Sequence, residues 1–271
     1  MTPLTVASPA GRLQGQITGT GPIVVLQHGL GGDAAQPTEA FPQAQGFAHA
    51  VLNCRGHGAS PAGDLNALTI AHFTDDLAQM IDALPGKPIA VGGISMGAAM
   101  ALRLAVIRPD LVPALILSRP AWLTANAPAT MHPNAEVGRM IAAGQSADDF
   151  ARTDTARMLG RQAPDNLASL ISFFTRQPPD VTAALLTRIS ADGPGVTQAD
   201  LASLAIPTLI LGCGEDFVHP LDLAKDLAQL IPGARLTELP PKGRDKAAHI
   251  TAGHHAILTF LKGLPHAASR P

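Results

Sequence analysis

Pro88-Ile89-Ala90-Val91-Gly92-Gly93-Ile94-Ser95-Met96-Gly97-Ala98-Ala99-Met100 is the stretch on which the fold turns. Residues 88–93 form a short apolar run of the kind found in a strand buried on both faces. Ala98 to Val106 reads as a helix that stops near Pro109. Between them lies Gly93-Ile94-Ser95-Met96-Gly97, a G-x-S-x-G turn. The five-residue pattern alone says little, because Gly and Ser are common. A strand before it and a small-residue helix after it make it specific, because that arrangement lifts Ser95 onto a tight turn at the carboxyl end of a sheet. Glycine at 93 and 97 removes side chains that would collide as the turn packs. The helix N-terminus sets backbone N–H groups and a partial positive charge beside the hydroxyl. A plain strand-to-helix turn with Ser95 as helix cap is the alternative. A phosphate-binding G-x-x-x-x-G-K-[ST] or a dinucleotide G-x-G-x-x-G would read differently, and neither occurs here.

The same alternation extends outward. Strands are expected at about 13–19, 22–27, 47–54, 115–117, 207–212 and 234–239, with helical spacing at 70–84, 221–230 and 257–261. Strand and helix in this order indicate an α/β fold with a mostly parallel central sheet flanked by helices. Residues 120–196 break the rhythm. They contain Trp122, several prolines and helical stretches at 135–143 and 167–174, with no evident strand. The expected division is a sheet-based core from 1–119 and 197–271, interrupted by a helical insertion at 120–196. From about His266 a loose tail is expected.

The 271 residues are 46% hydrophobic and 15% charged, with a formal net charge of −2. That is ample core material, and the balance lacks the basic face a nucleic-acid partner requires. The two cysteines, Cys54 and Cys213, end strands that are not neighbours in this topology, so two buried thiols are expected and no bridge. Met1 to Arg12 has no signal-peptide pattern, and no run reaches the roughly 18 apolar residues of a membrane span. A cytoplasmic protein is the default expectation. No H-E-x-x-H motif or cysteine cluster is present, so neither metal nor cofactor is expected.

With His28-Gly29 after one apolar strand, Arg55-Gly56-His57-Gly58-Ala59-Ser60 after the next, the Ser95 turn and a late acidic segment, the chain resembles the α/β-hydrolase fold from end to end. The likeness is to the single-domain type of serine hydrolase with a helical cap. It implies Ser95 as nucleophile and an oxyanion hole made by the backbone N–H groups of Met96 and Leu30. The family order, serine then acid then histidine, assigns the acid to Asp216 in Gly212-Cys213-Gly214-Glu215-Asp216-Phe217-Val218-His219-Pro220.

The base is harder to place. The family's Gly-His pair ahead of the last helix is not reproduced, and His249, His254 and His255 are the candidates. Each residue along the last helix descends about 1.5 Å from the carboxyl edge of the sheet, which favours His249. His254 shares a face with Ile250, Ile257 and Leu261 and stays open as the alternative; His255 reads as an exposed helix residue. His28 and His57 read as structural, and His219 as a possible support for the acid. The resemblance implies acyl transfer on a small-molecule acyl substrate. A carboxylic ester is the default, a lactone or C–C bond the rival, and a non-catalytic small-molecule receptor the reading from another class. Trp122, Met131, Leu159, Phe173 and Phe174 of the insertion either line an apolar acyl or alcohol site or pack its core.

Overall fold

The computed structural model describes residues 1–42 and 46–265; the tail expected from His266 lies outside the described residues. Eight strands form one sheet: β1 (Thr2–Ser8), β2 (Gly11–Thr18), β3 (Ile23–Gln27), β4 (Ala48–Leu52), β5 (Ala90–Ile94), β6 (Leu115–Ser118), β7 (Thr208–Cys213) and β8 (Arg235–Leu239). Their order is β1-β2-β4-β3-β5-β6-β7-β8. The β1–β2 and β2–β4 pairs are antiparallel and the rest parallel. Every residue of β3, β4, β5, β6 and β7 is buried, as parallel strands covered on both faces require.

The covering helices are α1 (Ala35–Ala40), α2 (Ile70–Asp82), α3 (Met96–Ile107), α10 (Leu221–Leu230) and α11 (Lys246–Lys262). Between β6 and β7 run α4 (His132–Ala142), α5 (Ala147–Ala151), α6 (Asp154–Gln162), α7 (Pro164–Ser172), α8 (Pro179–Ala191) and α9 (Gln198–Ser203), with no strand among the described residues. This helical segment has its own apolar centre, built from Val137, Phe150, Leu159, Leu170, Phe173 and Leu186. Local signals start several of these helices. Ser146 with Asp149 and Thr197 with Asp200 form reciprocal capping boxes at α5 and α9, each satisfying otherwise unpaired N–H groups. Trp122 Nε1–H donates to the Asp192 carbonyl at 2.9 Å while the Asp192 carboxylate accepts from the Ile70 amide at 2.7 Å, so the two ends of the insertion are tied to the core.

The strand order places the site. β3 lies between β4 and β5, with Gln27 opposite Gly93. The chain leaves β3 and β5 at the same sheet edge, so the loop carrying Leu30 ends beside the turn carrying Ser95. This is the kind of reversal at which open α/β sheets form crevices. Both cysteines are free and buried. No helix among the described residues is long and apolar enough to cross a membrane.

Two points differ from the sequence reading. β1 was not foreseen; it is an edge strand in which only Val6 is buried, so its apolar pattern is faint. α11 runs from Lys246 to Lys262 and contains the 257–261 stretch, as expected; the Asp245 side chain caps it by accepting the Ala248 N–H at 2.9 Å. The helix expected over 167–174 starts at Pro164, where proline suits a first turn, and ends at Ser172 in a 3₁₀ turn, Phe173–Thr175.

Candidate active site

The turn at Ser95 is built by contact as much as by conformation. A Cβ at Gly93 would strike the Gly97 backbone, and one at Gly97 would lie 2.5 Å from the Gln27 carbonyl oxygen. Only glycine at both positions lets β5, the turn and α3 close on β3. Ser95 itself is held at φ 54°, a region costly for a residue with a Cβ and often found at functional sites. Its amide donates to the Ser118 carbonyl at 2.9 Å. The Ser95 side chain makes no capping bond to α3, which removes the alternative of a plain helix cap. Its Oγ instead lies 2.8 Å from His219 Nε2.

His219 and Asp216 share one short turn after β7. His219 Nδ1 is 2.9 Å from Asp216 Oδ1 and 3.0 Å from Oδ2, and the His219 amide donates to Oδ1 at 3.1 Å. The Phe217 and Val218 amides between them donate to Asn166 Oδ1 on α7 at 2.7 and 3.1 Å. Each amide from 217 to 219 is thus fixed, two of them by the helical insertion. On the far side of the carboxylate, Arg119 donates to Asp216 Oδ2 through Nε at 2.8 Å and Nη2 at 2.6 Å. Arg119 follows β6 at φ 45°, and Glu215, beside the acid, sits at φ 56°. Three of the four non-glycine residues with positive φ among the described residues therefore meet at this site.

The electrostatics follow from burial. Burial disfavours the Asp216 charge, but the His219 and Arg119 charges and their hydrogen bonds outweigh it and hold the carboxyl far below the usual range. Burial lowers His219 below 6.5; Asp216 opposes that shift and the Arg119 charge adds to it. With Nδ1–H donating to an ionised Asp216, neutral His219 presents a bare Nε2 to the Ser95 hydroxyl, which can donate to it.

The loop after β3 is latched by imidazoles. The Gly29 amide donates to Gln36 Oε1 at 2.7 Å and the Gly31 amide to His57 Nε2 at 3.0 Å. Between them the Leu30 N–H has no acceptor among the described residues. The Met96 N–H opens α3 and has no intrahelical partner. His28 accepts from the Cys54 amide at Nε2 (3.0 Å), leaving its Nδ1–H for the Gly29 carbonyl at 2.8 Å. Burial pushes His28 down to about 4, and His49 in β4 likewise to about 4. An unfolded chain protonates both near 6.5. Between pH 6.5 and 4 it therefore binds protons that the folded chain does not. Stability is expected to fall as pH drops through that window, by up to roughly 3 kcal/mol per histidine, and their contribution should level off below pH 4. Urea denaturation at pH 7, 5.5 and 4 measures it.

The residues expected from the sequence are brought together in part. Ser95, Asp216, Leu30 and Met96 converge. His249 is not brought to Ser95: its Nδ1–H donates to the Pro240 carbonyl at 2.8 Å, and it lines an adjoining cavity that shares Gln36, Ile94, Arg119 and Lys242 with the one at Ser95. His254 lies farther along α11, partly exposed, with Nε2 2.8 Å from the Glu39 carbonyl oxygen, so it is not the core histidine its helical face suggested. His255 is exposed. The residues missed are His219, as the partner of Ser95, and Arg119. The signal for His219 was Asp216-x-x-His219, three residues apart on one turn, beside a final loop that lacks Gly-His and carries Gly243-Arg244 instead.

The cavity at Ser95 is small, about 90 Å³, and largely polar, with Arg119, Asn134, Asp165, Asn166, Ser169 and Lys242 on its walls. Of the apolar residues singled out in the insertion, Met131 and Phe173 face it. Trp122 and Leu159 are buried in apolar clusters, and Phe174 packs beside Phe150.

Comparison with known proteins agrees with the fold. A family model described as the alpha/beta hydrolase fold matches residues 22–245. A Klebsiella pneumoniae (strain 342) protein named "Putative carbamate hydrolase RutD" is 31% identical over 235 residues, 81% of this chain and 83% of its own length. The uncharacterized hydrolase YraK of Bacillus subtilis (strain 168) is 31% identical over 121 residues, so that match spans 44% of this chain and 45% of YraK. Among solved structures, the enol-lactonase from Burkholderia xenovorans LB400 superposes with a TM-score of 0.69 at 25% identity, covering 96% of this chain and all of that one (100%).

Proposed function

Because the chain belongs to the α/β-hydrolase fold family and proteins named as hydrolases are among the relatives it matches, we propose that it is a serine hydrolase in which Ser95, His219 and Asp216 perform a two-step acyl transfer on a small carboxylic ester or related acyl compound. The observation that carries this is the unbroken hydrogen-bonded run from Ser95 Oγ through the His219 ring to Asp216. The helical segment between β6 and β7 serves as the cap that roofs the cavity.

His219 Nε2 removes the Ser95 proton as Oγ attacks the acyl carbon. The Leu30 and Met96 N–H groups receive the oxyanion, a contribution of about 2.7–4 kcal/mol per donor where such donors have been removed. Asp216 holds the ring tautomer and stabilises the imidazolium without taking the proton. That proton goes to the leaving alcohol as the C–O bond breaks. Water then attacks the acyl-enzyme with His219 again as base, releasing the acid and restoring Ser95. The related proteins named for carbamate and lactone hydrolysis act on acyl groups to which the same sequence of steps applies, and a cavity of about 90 Å³ suits a short acyl group.

A fluorophosphonate should label the protein at Ser95 and leave Ser95→Ala unlabelled. A folded protein whose Ser95 stays unmodified would sink the hydrolase reading in favour of a non-catalytic receptor. Since only neutral His219 can act as base, kcat/KM for a p-nitrophenyl ester should fall toward acid through a midpoint below 6.5, the direction in which burial moves His219. Lactones and amides in the same assay sort the acyl class.

A further inference from the structure

Two buried asparagines of the cap face the cavity at Ser95: Asn134 on α4 and Asn166 on α7. The oxygen of Asn166 is spent, since Oδ1 accepts from the Phe217 and Val218 amides and so fixes the acid–base turn. That of Asn134 is not. Only 7% of Asn134 is exposed, and its Oδ1 is buried without a hydrogen-bond partner among the described residues. The other unpartnered buried side-chain atoms, on Thr18, His49, Arg103, Thr130 and Ser190, do not line this cavity. A buried amide oxygen left unpaired is disfavoured, and native structures resolve such groups with a partner.

The remaining polar walls are largely self-satisfied. Arg119 is bound to Asp216, and Lys242 Nζ lies 3.0 Å from Asp165. The cavity thus presents balanced charge and, in Asn134, a buried amide whose oxygen has no partner among the described residues. An amide offers an acceptor and a donor, and the group that answers both is a hydroxyl or carboxamide. Building on the acyl-transfer reading above, we infer that Asn134 is a specificity-determining residue that hydrogen-bonds such a group. The substrate class is accordingly a small hydroxyl- or amide-bearing acyl compound and not a plain alkyl ester. A site built to pair with a polar group rejects the isostere that lacks it, because its own buried atoms are then left unmatched.

Two matched pairs test this: methyl 3-hydroxypropanoate against methyl butanoate, and 2-hydroxyethyl acetate against propyl acetate. In each pair a hydroxyl replaces a methyl. The wild-type protein should prefer the hydroxyl compound in at least one pair, by about tenfold or more in kcat/KM. That ratio should collapse toward one in Asn134→Leu and in the smaller Asn134→Ser. No preference in wild type, or one that both folded variants keep, overturns the inference while turnover of the alkyl esters leaves the hydrolase reading standing. Should neither variant fold, the wild-type ratio alone decides. Failure of wild type to turn over any of the four esters, with Ser95 unlabelled by a fluorophosphonate, removes both together.

Discussion

His219→Gln is expected to lower kcat by about 10⁴- to 10⁶-fold, while His249→Gln leaves turnover near that of the parent. The contrast rests on which ring nitrogen meets which group. His219 Nε2 lies 2.8 Å from Ser95 Oγ and Nδ1 lies 2.9 Å from Asp216, so glutamine at 219 removes the imidazole that the proposed reaction needs to take the serine proton. His249 has its Nδ1–H on the Pro240 carbonyl at 2.8 Å and sits in a neighbouring cavity. Its substitution costs a hydrogen bond at the start of α11 and nothing at the hydroxyl. Steady-state kinetics on a p-nitrophenyl ester, with circular dichroism to confirm folding, reads both variants. A reversed result returns the base to the α11 histidine. Fluorophosphonate labelling adds a second reading: it should slow steeply in His219→Gln and persist in His249→Gln, because the reagent reports serine nucleophilicity directly.

The fold was legible because it rests on patterns that physics makes local. Parallel strands buried on both faces are largely apolar, and β3, β5 and β7 announce themselves so. The Ser95 turn needs glycine at two contact points, and Gly93 and Gly97 are there. β1 has little burial to signal it. Asp216 was legible through the order of segments. The histidine that pairs with Ser95 was not, because a histidine can reach Ser95 from more than one loop at the same sheet edge, and the choice is made in three dimensions. The missing Gly-His pair was the visible symptom. Its counterpart, a histidine three residues after the acid, was visible too, but residue spacing alone does not reveal that Asn166 on a distant helix holds that turn in place. Arg119 carried no sequence signal at all: an arginine after a strand gains meaning only when the fold puts Asp216 within 2.6 Å of it. The two readings open for the apolar residues of the insertion divide between them for a related reason: Leu159 is needed, with Phe150, for that segment's own apolar centre, whereas Met131 and Phe173 reach the cavity beside its polar side chains.

Asp216→Asn should lose activity and stability together, and for separable reasons. On activity, asparagine can still meet the His219 ring but no longer enforces the tautomer with a bare Nε2 or stabilises the imidazolium; the comparable change in a serine protease triad lowers kcat by about 10⁴. On stability, the variant leaves the Arg119 guanidinium, whose side chain is only 11% exposed, without the carboxylate 2.6 Å away. Removing one partner of a buried ion pair costs about 3–5 kcal/mol. Asp165 softens this only in part, since it lies 3.9 Å from Arg119 and is already engaged by Lys242. The two losses part company in the double variant Arg119→Met/Asp216→Asn. Removing the stranded charge should restore much of the urea midpoint lost by Asp216→Asn, whereas turnover should stay low because no carboxylate faces His219. Recovery of activity along with stability would mean that Asp216 acts only by holding the fold, and would turn attention to Asp165 as the acid. Arg119→Met alone then isolates the remaining effect. With its charge gone, Asp216 raises the basicity of His219 unopposed by Arg119, so the acid limb of kcat/KM should move to higher pH than in the parent.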